Sequence, residues 1–239
     1  MDVNKNSYTF MFAAIMVVVV AAALSYAATT LKPLQEENVE MEKMQNILSS
    51  IDVIKTREES AEVYPTYITE ELVLTNSQLT EGVDAFNVDM AKEVKKDPLE
   101  RNAPLYIAEK DGEKYFIIPL QGTGLWGPIW GYISLKSDLS IYGAVFDHAK
   151  ETPGLGAEIK TDVFGAQFKG KTILDDNGNL IGIDVRKGDA NDDNEVDGIS
   201  GGTITSDGVE IMIQDCLQAY IPYLKDFTSS LGALTPDKL

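Results

Sequence analysis

The chain has 239 residues, enough for one or two domains. Lysine and arginine number 20 against 38 aspartates and glutamates, a formal net charge of −18, and this excludes a nucleic-acid binder, which must neutralise phosphates with cations. Hydrophobic residues at 44% and charged residues at 24% exclude disorder along the whole chain.

Single copies of two chemically informative residues narrow the classes further. Cys216 stands alone, so no intramolecular disulfide scaffold or Cys-rich metal site exists. His148 stands alone, which excludes a multi-histidine zinc site while leaving a Ser-His-Asp triad arithmetically open.

From Ser7 to Leu31 there is no charge. As a helix that segment spans about 37 Å at roughly 1.5 Å per residue, and a hydrocarbon layer needs about 20 apolar residues. The centre, Phe10 to Leu24, is apolar on every side, and Tyr8 and Tyr26 sit near its ends, where aromatic side chains favour the interface. Residues 7–31 therefore read as a transmembrane helix behind a tail, 1–6. The competing reading is a cleaved signal peptide ending at Ser25-Tyr26-Ala27. Signal h-regions run only about 7–15 residues, and the one cation before this stretch is Lys5, so the retained anchor is the better fit. Lys5 on one side and Lys32 on the other leave its orientation open.

Residues 32–104 read as a stalk helix and a connecting region. After Pro33, the residues Leu34, Met41, Met44, Leu48 and Ile51 share one helical stripe. From Lys55 to about Pro104 the chain is charged and weakly patterned, with Glu71–Thr75 as a short strand candidate.

Residues 105–239 are patterned more sharply and predict an α+β domain, an antiparallel sheet with packed helices. Leu105–Ala108 and Tyr115–Leu120 flank Asp111-Gly112, a hairpin signal. Trp130–Leu135 and Ile141–Phe146 are two further strands. Thr172–Leu174 and Leu180–Val185 flank Asn177-Gly178, a second hairpin signal. Val209, Met212, Ile213, Cys216, Leu217 and Tyr220 then follow helical spacing, with Pro222 interrupting. On that stripe Cys216 reads as a small core residue.

Three loops are rich in glycine and small polar residues: Gln121–Pro128, Glu151–Gly156 and Asp197–Ser206. The third leads into the last helix, whose N-terminus would favour a phosphate. The alternative for it is a turn with an N-cap from Thr205, Ser206 or Asp207. Other constellations fail on spacing. The acidic run from Asp189 has Asn194 and Ser200 where a calcium loop needs Gly and Glu. Gly122-Thr123-Gly124 lacks the third glycine and the βαβ unit of a dinucleotide site. No G-x-S-x-G elbow occurs. His148, beside Asp147 at a strand end, reads as incidental. No catalytic residue and no metal ligand are assigned.

Asp197-Gly198-Ile199-Ser200-Gly201-Gly202-Thr203 resembles the flavin-attachment motif of bacterial FMN-binding domains. In those domains the usual core is Ser-Gly-Ala-Thr, and the final threonine is esterified to the FMN phosphate. Glu151–Gly156 and Gly122–Trp126 are similar to their counterparts in the NqrC family, the flavin-carrying subunits of sodium-translocating NADH:quinone oxidoreductases. The layout of one N-terminal anchor and one domain is similar too. The likeness is strongest from about Tyr115 to Tyr220. One departure is Gly202 in place of the usual Ala.

The resemblance implies covalent FMN on Thr203, surrounded by Ser200, Gly201, Gly202 and Thr205. Trp126 and Leu155, with Leu125, would face the flavin ring. Glu151, Thr152 and Gly156 would meet its edges, and Lys187 would offset its charge. It further implies a translocase subunit whose flavin relays electrons without itself meeting NADH or quinone. The implied partners are the other membrane subunits, a flavin transferase during maturation, and the lipid bilayer. The implied place is a bacterial inner membrane, single-pass, with the domain on the periplasmic side. Two alternatives stay open: the equivalent FMN subunit of an Rnf ferredoxin:NAD oxidoreductase, and a non-redox anchored scaffold.

Overall fold

A computed structural model describes residues 6–233, with side-chain surroundings through residue 228. The tail holding Lys5 and residues 234–239 lie outside the described residues. Two compact units divide the chain, Met1–Lys43 and Met44–Leu239.

The helix α1 runs Asn6–Ser49 without a break at Pro33. The expected separate stalk helix after that proline is therefore the continuation of the anchor. Continuity survives because the amide lost at Pro33 affects one carbonyl, four residues earlier. In the first unit, an 18-residue window of α1 has mean hydropathy 2.4 and no residue of it is buried within the protein. Phe10, Val17 and Leu24 are all exposed, and the helix is long and apolar enough to cross a membrane.

The second unit opens with the end of α1, where Ile47, Leu48 and Ile51 are buried. Thr56 caps the next helix, α2 (Arg57–Tyr67), in a capping box with Glu59. Strands β1 (Ile68–Thr75) and β2 (Gln78–Leu79) follow, then the short α3 (Met90–Glu93). Strands β3 (Ala103–Lys110), β4 (Glu113–Thr123), β5 (Pro128–Leu135) and β6 (Ile141–His148) complete an antiparallel sheet of order β2-β1-β3-β4-β5-β6. The sheet thus takes in the candidate strand at Glu71–Thr75, paired to β3. Asp111 and Gly112 make the β3–β4 turn with φ of 55° and 80°.

Both faces of the sheet are covered, which is why its strands are apolar at successive positions and not only at alternate ones. Ile107, Phe116, Ile118 and Ile133 enter one core, and Tyr106, Ala108, Tyr115 and Ile117 enter the other. The end of α1 and α2 close the second face, while the first is closed by the C-terminal helices.

After the short α4 (Asp162–Ala166), the hairpin expected around Asn177-Gly178 reduces to one bridge, Leu174 to Leu180. Val185 instead lies in β7 (Asp184–Arg186), which pairs in parallel with β8 (Glu195–Asp197). A side chain settles this exchange of partners: the Val185 amide donates to Glu210 of the next helix at 2.9 Å.

That helix is α5 (Thr203–Leu217), followed after a short turn by α6 (Ile221–Ala233). Pro222 falls in the first turn of α6, where a missing amide costs nothing. Buried Arg101 fixes α5 by two bonds to the Asp215 carboxylate, at 2.8 and 3.1 Å. Cys216 is buried, and burial pushes its pKa up to about 11. At pH 8 roughly 0.1% of it is thiolate, against roughly a quarter for a free cysteine of pKa about 8.5. We expect iodoacetamide to leave Cys216 unlabelled in the native protein at pH 8 and to label it promptly in guanidinium, read by mass spectrometry.

Candidate flavin site

The three small-residue loops meet at the N-terminus of α5. The first, at the β4–β5 turn, is closed by the Gly124 amide donating to Gly127 O at 2.8 Å. The second leaves β6 and is closed on the Thr152 carbonyl, which accepts from Leu155 and Ala157 at 3.1 and 3.2 Å. The third is held by the Gly198 amide on Arg186 O at 2.7 Å and the Ile199 amide on Ser206 Oγ at 2.9 Å.

The helix starts at Thr203, ahead of the N-cap positions Thr205, Ser206 and Asp207 that the sequence offers. The side chains that look like caps are used elsewhere. Ser206 bonds back to Ile199, and the Thr205 hydroxyl donates to Glu151 Oε2 at 2.7 Å. The N-cap residue is Gly202, and no side chain caps the helix. The amides of its first turn have no partner within the helix, so this end of α5 suits an anion.

Two neighbouring cavities share Gly201 and Thr203. One, of about 190 Å³, collects Trp126, Glu151, Thr152, Leu155, Gly156, Gly202 and Thr205. The other, of about 390 Å³, collects Lys187 and Ser200. Every site residue expected from the sequence therefore lies in one cavity or the other. Four large apolar side chains stand exposed in the first: Leu125, Trp126, Leu155 and Ile204. Lys187 is exposed and forms no ion pair among the described residues.

The two threonines differ sharply. Thr203 is half-buried, whereas Thr205 is 1% exposed and occupied by Glu151. Glu151 is itself buried and also accepts from the Trp126 amide at 2.8 Å.

Glycines set the walls. At Gly156 a Cβ would clash with Glu151 Oε2 and stand 2.5 Å from Thr205 Oγ1. Gly201 has φ +76°, and a Cβ there would meet Leu155 Cδ2 at 2.7 Å. At Gly202 a Cβ would lie 3.1 Å from Ile199 Cβ and 3.2 Å from the Gly156 amide, so glycine suits the β-branched neighbour in this chain. A planar aromatic group with a phosphate tail fits these residues: an apolar wall, an unoccupied hydroxyl, an uncapped helix end and a free cation.

Two residues of the site carry no clear signal in the sequence, His148 and Gly124. His148 Nδ1 accepts from the Glu151 amide at 3.2 Å and so orients the second loop. Gly124 leaves room for the Glu151 carboxylate, 2.7 Å from where its Cβ would be. The glycines at 124 and 156 are visible in the chain, but only the fold shows that both face one carboxylate.

An anchored α+β domain with this loop cluster defines a membrane-attached FMN-binding protein, and the FMN-binding domain family matches residues 124–218. The chain is 30% identical to the NqrC protein of the Na(+)-translocating NADH-quinone reductase of Pseudomonas aeruginosa, over 88% of this chain and 90% of that one. It is 31% identical to the NqrC of Pasteurella multocida, over 86% and 88% respectively. Among solved structures, the NqrC of Parabacteroides distasonis is 41% identical with a TM-score of 0.75, covering 81% of this chain and 96% of that one. The Shewanella oneidensis NqrC has a TM-score of 0.67 at 24% identity, over 78% of this chain and 98% of that one, a likeness of fold. The chain belongs to the NqrC family of the Na(+)-translocating NADH-quinone reductases.

Proposed function

We propose that this chain carries FMN covalently on Thr203, as a membrane-anchored subunit that relays electrons within a sodium-pumping NADH:quinone oxidoreductase. One observation carries the site assignment: Thr203 is the first residue of an uncapped helix, at the junction of the two cavities. An ester phosphate on its hydroxyl would be held by the first-turn amides, and Ser200, Gly201 and Gly202 would leave room for a modifying flavin transferase. FMN supplies the electron chemistry, and the protein supplies position and electrostatics.

Trp126, Leu155 and Leu125 give the ring an apolar face. The backbone of Glu151, Thr152 and Gly156, which lines the same cavity, would meet its edge. Lys187 offsets the negative charge of the phosphate or of the reduced ring. The site needs no general acid or base of its own. The partners are the other membrane subunits of the complex, and the bilayer surrounds the Ser7–Leu31 stretch.

A preparation denatured in detergent and precipitated with acid should stay yellow, and its band should fluoresce in a gel. A colourless pellet with free flavin in the supernatant would overturn covalent attachment.

We place the domain on the periplasmic side of a bacterial inner membrane. The two flanking lysines do not decide this; the family resemblance supports it. A reporter active only in the cytoplasm, fused after Leu239, should be silent. An active reporter would invert the topology.

A further inference from the structure

We infer that Thr205 and Glu151 are positioning residues that lock the loop carrying Trp126 onto the helix carrying Thr203, so that one buried latch sets where the flavin ring sits relative to its tether. The inference rests on the reading that Thr203 holds the flavin phosphate.

The latch is continuous in the structure. Thr205 Oγ1 donates to Glu151 Oε2 at 2.7 Å, and the Trp126 amide donates to Glu151 Oε1 at 2.8 Å. The Leu125 amide approaches Thr205 Oγ1 at 3.4 Å, closing the same triangle. The hydroxyl and carboxylate residues are 1% and 5% exposed, so water does not compete for these bonds.

Helix geometry gives the latch its purpose. Side chains two residues apart on a helix point roughly 200° apart. Thr203 and Thr205 therefore aim to opposite sides of the same turn, one half-buried at the cavity junction, the other into the protein. The tether and the lock share one rigid turn. The glycines on either side leave no slack: a Cβ at Gly124 would be 2.7 Å from Glu151 Oε1, and one at Gly156 would clash with Oε2. Two hydrogen bonds and the two glycine backbones thus surround this carboxylate.

The test compares full-length wild type with Thr205→Val, which keeps the shape and removes the hydroxyl, and with Thr205→Ser, which restores it. The first readout needs no flavin: hydrogen exchange at the Trp126 amide in protein made without a flavin transferase. Thr205→Val should exchange there about tenfold faster or more, the loss expected when a buried hydrogen bond is removed, and Thr205→Ser should return toward wild type. The second readout is the visible spectrum and midpoint potential of loaded protein, at matched covalent flavin. Both should move in Thr205→Val and return in Thr205→Ser. Unchanged exchange in Thr205→Val would show that no latch exists. Faster exchange with an unmoved spectrum and potential would show a latch that does not position the flavin. Either result overturns the inference. Failure of flavin to attach to wild-type Thr203 would instead overturn the site assignment, and the flavin-free exchange data would still stand.

Discussion

Replacing Thr203 with Val should abolish covalent flavin altogether, leaving a colourless, folded protein. The substitution removes the one hydroxyl placed to form the ester. Thr205, the nearest competitor two residues on, cannot replace it, because its hydroxyl is buried and donates to Glu151. Ser206 is also buried, and its oxygen accepts from the Ile199 amide. Ser200 is exposed but precedes the helix, so an ester there would lose the first-turn amides. Folding should survive, since Thr203 is half-buried and Val is near in shape. Threonine and valine are both β-branched with nearly equal helix propensity, so the exchange costs the helix little. Peptide mass spectrometry of the wild type should show FMN minus water on Thr203. Flavin retained on the Thr203→Val chain would sink the assignment.

Gly156→Val should disrupt the flavin environment more than any change in the ring's apolar wall. The Val Cβ would fall inside contact distance of both Glu151 Oε2 and Thr205 Oγ1. Overpacking of this kind costs about 1–3 kcal/mol and displaces its neighbours. Those neighbours hold the Trp126 loop, so the spectrum and potential of attached flavin should shift together. Attachment itself should persist, because the segment around Thr203 keeps two further holds, Gly198 on Arg186 and Ile199 on Ser206. Redox titration at equal covalent flavin checks this. Identical curves for wild type and variant would make the loop a structural turn with no bearing on the cofactor.

The anchor, strands β3 to β6 and the α5 core stripe are legible in the residues alone, because each depends on local periodicity or on an unbroken apolar run. Thr203 is singled out as the proposed attachment point through a motif, since attachment needs a hydroxyl with small neighbours in sequence. The start of α5 is not legible. Three polar residues at 205–207 look like caps in sequence, and two of them are taken by partners far away or across a loop: Glu151, 54 residues earlier, and Ile199. The β7–β8 pair is hidden for the same reason. Its parallel register joins segments that a local hairpin rule would never pair, and Glu210 of α5 helps hold it.

Residue types and their spacing thus settle which side chains could hold a flavin, and the packing around them decides which are free to do so. Thr203 and Thr205 carry the same group two residues apart. Whether a hydroxyl is an acceptor or a buried brace depends on what folds against it. Here a carboxylate from the β6 end reaches Thr205 and leaves Thr203 at the cavity. Local pattern cannot encode that choice, because hydrogen bonding and burial are satisfied by neighbours in space and not by neighbours in the chain.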